Sequence, residues 1–119
     1  MTYVDGFVLA VKTDKIEAYR DFATNAAKVW KEHGALEYKE CVLEDMNDPG
    51  FCATFPVSFG AKDDETMVFA YIVYNSREHR DEVNAKVMAD ERMNCGAPED
   101  MPFDCKRMSY GGFKTLVEL

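Results

Sequence analysis

Histidine is nearly absent from these 119 residues, with only His33 and His79 present and no HxH or HxxxH spacing between them. A tightly held metal or haem normally draws on more donors than that, so no metal site and no cofactor is expected. The four cysteines, Cys41, Cys52, Cys95 and Cys105, form neither a CxxC pair nor a zinc ribbon, and they read as free thiols of a reducing compartment. Basic charge is also short. Fourteen Lys and Arg face 22 Asp and Glu, and the net charge of −8 repels phosphate backbones and anionic lipid, which excludes nucleic acid and membrane surfaces as partners. No apolar run approaches the roughly 18 residues of a membrane span, and the N-terminal "MTYVDGFVLAVKTDK" has no basic region before an apolar core, so a cytoplasmic protein is expected. The GxSxG elbow, the Walker loop and the GxGxxG turn are missing too, which leaves hydrolase and nucleotide-binding readings without a motif.

What is present is an alternation of strand and helix signals. Residues 3–12, "YVDGFVLAVK", are rich in β-branched and aromatic side chains and predict a first strand. Residues 13–34 predict a helix capped by Thr13 or Asp14 and closed by Gly34. Its apolar arc runs through Ile16, Tyr19, Phe22, Ala23, Ala26, Ala27, Val29 and Trp30, with His33 in the last turn. Period-two patterning over 35–45 places Leu36, Tyr38, Glu40 and Val42 in one row of a second strand. A long irregular connection follows, with one helical turn expected after Pro56. "TMVFAYIVY", 66–74, predicts a central strand apolar on both faces. A second long helix is expected from the Asn75-Ser76 cap to about Asp90, with Val83, Val87 and Met88 as its apolar stripe and a solvated His79 near its start. Residues 91–104 predict a loop. From Cys105 a last strand is expected, broken or bulged at Gly111-Gly112 unless that pair marks a close backbone approach.

The order βαββαβ over residues 1–119 predicts one α+β domain of ferredoxin-like architecture: a four-stranded antiparallel sheet with both long helices on one face. The opposite face would then be uncovered. Pairing two such sheets gives a homodimeric α+β barrel, which is the expected assembly.

"YVDGFVLAV", "KVWKEHGALEY", "NAKVMAD" and "MPFDCKRMSYGGF" resemble shared segments of the YbaA-like family, small bacterial proteins of unknown function. The resemblance runs over nearly the whole chain. It implies membership of the dimeric α+β barrel superfamily, which includes antibiotic-biosynthesis and haem-degrading monooxygenases and YciI-like proteins. It carries over no catalytic residue, and Cys105 stands where the family pattern suggests a small residue.

Candidate site residues come from side-chain chemistry. His33 titrates near neutral pH and is a candidate acid or base, though a histidine in a last helical turn also has an ordinary role at free carbonyls. Arg107 suits a substrate carboxylate or enolate and Asp104 would orient it; the plain alternative for both is a surface ion pair. Trp30, Tyr38, Glu40, Tyr71 and Tyr110 are candidate ligand-binding residues, because apolar pockets with a few phenol groups orient small organic molecules. Tyrosines also simply fill half-buried sheet positions. Two functions remain open from sequence. One is a small-molecule-binding enzyme of the cofactor-independent monooxygenase or isomerase type. The other is a non-catalytic ligand-binding or interaction protein.

Overall fold

The computed structural model describes residues 1–93 and 101–119. Cys95 and Pro98 of the expected loop lie outside them. Four strands, β1 (Tyr3–Lys12), β2 (Glu37–Val42), β3 (Glu65–Tyr74) and β4 (Ser109–Lys114), pair in the order β2-β3-β1-β4, and every ladder is antiparallel. Helices α1 (Ile16–Glu32) and α3 (Arg77–Met88) cover one face, and the short α2 (Phe55–Phe59) lies by the other. This is the ferredoxin-like α+β arrangement expected from the order of elements.

Strand alternation decides what each face receives. On β1 the odd-numbered side chains Leu9 and Val11 turn toward the helices and pack with Tyr19 and Ala23 of α1 and Val68 of β3. A second cluster joins Val29 of α1 and Val83 and Val87 of α3 to Ile72 and Tyr74 of β3. The even-numbered residues of β1 point the other way. There Phe69 of β3 is 47% exposed and Phe113 of β4 is 60% exposed, so this face is covered only in part, at the end where Met67 and Ala10 are buried.

Several local expectations change. The first helix has no Thr13 or Asp14 cap: residues 13–15 form a 3-10 turn, and the Thr13 hydroxyl donates to the Asp64 carbonyl instead. Gly34 does follow the helix with φ of 115°, the left-handed conformation that closes α1. Ser76 caps α3 by accepting from the His79 N–H, but Met88 is exposed and leaves the stripe. His79 is not simply solvated. Its Nδ1 accepts from the Asn75 N–H at 3.0 Å, and its ring meets Tyr74 edge-on.

The last strand is shorter than expected and unbroken. Cys105–Arg107 form a 3-10 turn, and pairing then runs without interruption from Val8↔Ser109 to Tyr3↔Lys114. The glycines serve close approach. A Cβ on Gly112 would stand 2.5 Å from the Tyr3 hydroxyl and 3.0 Å from Arg80 Nη1, while the Phe113 ring lies over Gly111 and Gly6. Gly112→Ala is therefore expected to lower stability by about 1–3 kcal/mol in urea unfolding, through overpacking. Adding Tyr3→Phe should recover part of the loss. An alanine variant as stable as the parent would show that Tyr3 and Arg80 move aside freely.

Candidate functional site

Between α1 and the sheet lies an aromatic chamber of about 160 Å³, walled by Phe7, Phe22, Trp30, Ile72 and Phe103 among others. Beside it, a groove of about 300 Å³ runs along α1 and the edge strand β2, reaching the exposed Arg20 and Thr24. Tyr19, Tyr38 and Glu40 line both, so these three side chains stand where groove and chamber meet.

They are bonded to one another. The Tyr19 hydroxyl donates to Glu40 Oε1 at 2.5 Å, and the Tyr38 hydroxyl donates to Oε2 at 2.8 Å. Glu40 is turned inward because it shares a strand face with Tyr38 and Val42, opposite Ala70 of β3. Tyr19 reaches it from the buried stripe of α1. Burial, reinforced by the Glu40 carboxylate, pushes both phenols far above the usual tyrosine range, so they remain protonated donors at any physiological pH. Trp30 stands over Tyr38 with ring centroids 6.1 Å apart, and its indole N–H donates to Asn84 of α3 at 3.1 Å.

The candidate residues divide among five places. Trp30, Tyr38 and Glu40 meet at the chamber. His33 caps the end of α1 and pairs with Asp90 at 2.8 Å; it lines neither the chamber nor the groove. Asp90 also receives Arg92, and these two partners hold its carboxyl well below the ordinary range. Arg107 grips Glu65 with two hydrogen bonds of 2.6 and 2.9 Å, at the opposite end of β3 from His33. The ten residues of β3 put roughly 30 Å between those ends. Asp104 accepts from the Lys106 N–H and so caps its own 3-10 turn. Residues 105–107 form that turn where the start of the last strand was expected, so Lys106 and Arg107 belong to no strand face. Tyr71 points from the uncovered sheet face, where its hydroxyl donates to Glu37 and Lys39 sits over its ring. Tyr110 donates to Asp5 at 3.1 Å and accepts from Arg80 at 2.7 Å.

Tyr19 belongs to the predicted apolar arc of the first helix and Phe103 to the predicted loop over 91–104. Phe103 meets Tyr19 and Phe22 edge-on at 5.5 and 5.6 Å and closes the chamber. The signal for Glu40 was visible, a carboxylate in an otherwise apolar strand row. Nothing local pairs it with Tyr19, 21 residues earlier. Asp5, 1% exposed beneath Arg80 at 2.8 Å, was likewise hidden inside an apolar strand.

Two titrations follow. Tyr19, Tyr38 and Tyr74 all have phenols raised by burial, so their neutral form stabilises the fold below the unfolded value of about 10. That stabilisation is lost as pH rises past it. In ultraviolet titration these three should ionise only together with alkaline unfolding; independent ionisation of all six tyrosines near pH 10 would contradict this. Glu65 is held at about 2 by Arg107, against an ordinary 4.5. Its contribution is complete above that ordinary value and disappears as pH falls toward 2. Arg107→Ala should accordingly move acid unfolding to higher pH, as read by circular dichroism.

Comparison with known proteins places the chain in a family. The family model described as "Protein of unknown function (DUF1428)" matches residues 2–105. The chain is 48% identical over 118 residues to "Uncharacterized protein YbaA" of Escherichia coli (strain K12), covering 99% of each, and matches the protein of that name in Shigella flexneri equally well. A solved structure of a dimeric ferredoxin-like protein from an uncultured marine organism aligns over 100% of both chains with a TM-score of 0.55 at 13% identity, a likeness of fold. The YbaA-like resemblance in the sequence is thus borne out, and the chain belongs to the DUF1428 family.

Proposed function

We propose that this protein binds a small organic molecule in the chamber between α1 and the sheet, with Glu40, Tyr19 and Tyr38 as its polar anchor. The observation that carries this reading is one carboxylate held by two phenols where an open groove meets an aromatic chamber. The phenols leave lone pairs on both carboxylate oxygens for a ligand donor. A catalytic use of the site would run through Glu40, the acid-base group common to groove and chamber, as acceptor of a substrate proton. His33, Arg107 and Asp104 then act as structural clamps at the two ends of the sheet.

Self-association through the uncovered face belongs to the same proposal. Val4, Val8, Phe69, Tyr71, Val73 and Phe113 share that face, an apolar surface of the kind that a second copy covers. The structural neighbour described as dimeric supports the reading.

Thermal-shift screening of small aromatic compounds tests the pocket. Ligands at large excess should raise Tm by several degrees, with NMR shifts confined to chamber residues; no response from any compound would remove the reading. Turnover of an aromatic or quinol substrate that Glu40→Gln abolishes, at unchanged stability, would make the protein an enzyme. Binding without turnover would make it a binding protein. For the assembly, light scattering should give a dimer that becomes a monomer in Phe69→Asp/Phe113→Asp, whereas a monomeric parent would rule out the sheet-to-sheet pairing.

A further inference from the structure

Glu40 carries a charge that the protein itself does not neutralise. Its two hydrogen-bond partners are neutral phenols, and among the described residues no lysine, arginine or histidine forms an ion pair with it. The other carboxylates turned toward the helix layer or lying under the chain are treated differently. Asp5 is paired with Arg80, Glu65 with Arg107, and Asp90 with both His33 and Arg92. Arg20 lines the outer groove but is exposed and faces Glu17 at 3.6 Å. A half-buried anion left without a cation beside an apolar chamber costs desolvation, and a ligand cation relieves that cost.

We propose that the chamber takes a protonated amine carried on a small aromatic body, its ammonium group on Glu40 and its ring between Phe22, Trp30 and Phe103. Three features converge on this class, which rests on the pocket reading above. An ammonium has three donors and no acceptor, matching the lone pairs that Tyr19 and Tyr38 leave open on the carboxylate. The rings of Phe7, Phe22, Trp30 and Phe103 line the chamber beside Glu40, an aromatic lining that favours a cation over a neutral head. Apolar cavities on the order of 150 Å³ hold a benzene-sized body, which is the scale of the inner chamber. A carboxylate ligand would be repelled by Glu40, and a neutral alcohol would bond it without neutralising it. The net charge of −8 also draws cations toward the molecule.

The test uses three probes that share a phenylethyl body on the intact protein at pH 7: 2-phenylethylamine, 2-phenylethanol and 3-phenylpropanoate, each titrated by NMR. The amine should bind about 10-fold or more tighter than the alcohol, as expected of a charge-assisted hydrogen bond, and the carboxylate should bind weakest. Glu40→Gln should remove the preference for the amine, bringing the amine and the alcohol to within a few-fold of each other. Should that variant unfold, the ranking of the three probes on the parent chain decides alone. Equal binding of amine and alcohol overturns the amine proposal and leaves the pocket standing. Strongest binding of the carboxylate overturns it in favour of Arg20. If no probe binds and the wider aromatic screen also fails, both readings fall.

Discussion

A carboxylate on the inward face of β2 has to be hydrogen-bonded to be tolerated, and the way Glu40 meets that requirement organises the region around it. Tyr38, two residues away on the same strand face, supplies one donor, and Tyr19 supplies the other from α1. The second bond ties the helix to the edge strand. A polar pair between helix and sheet also leaves space that side-chain packing alone would close, and the chamber and groove open on either side of it. Among the described residues no buried side-chain polar atom lacks a partner, so these bonds belong to a fully satisfied interior.

The two sheet faces are built on different terms. Toward the helices, alternating positions of β1 and β3 carry Leu9, Val11, Val68, Ile72 and Tyr74, and Tyr19, Ala23 and Val29 of α1 with Val83 and Val87 of α3 complete them. Away from the helices, α2 reaches the Phe69 region, but Phe113 and much of the β1–β4 half stay exposed. Gly6 and Gly111 let the Phe113 ring lie flat along that surface, and Gly112 leaves room on the helix side for Tyr3 and Arg80. One Gly-Gly pair thus serves both faces of the same strand.

Most of the charged candidates are spent on holding the frame. His33 and Arg92 converge on Asp90 where α1 and the segment after α3 end. Arg107 and the Lys62 N–H converge on Glu65 at the start of β3. Arg80 spans Asp5, Tyr110 and Asp81 at the far edge. Each closes a charge locally, which is why none of these cations is left for Glu40.

Element order and facing were legible in the chain because they rest on short-range periodicity: β1 and β3 run over the stretches whose apolar patterning announced them, and Gly34 ends α1 with the backbone only glycine adopts freely. Membership in the family was legible too, since four long segments carried it. The candidate site was half legible. Trp30, Tyr38 and Glu40 could be picked out by residue type and strand parity, but Tyr19 and Phe103 looked like core and loop. His33 and Arg107 look alike as candidates on paper yet stand at opposite ends of β3. Local pattern determines which way a side chain points within its own element. Which partner it meets depends on contacts across 21 residues for Tyr19 and Glu40, 57 for His33 and Asp90, and 75 for Arg80 and Asp5, and only the folded chain brings these together.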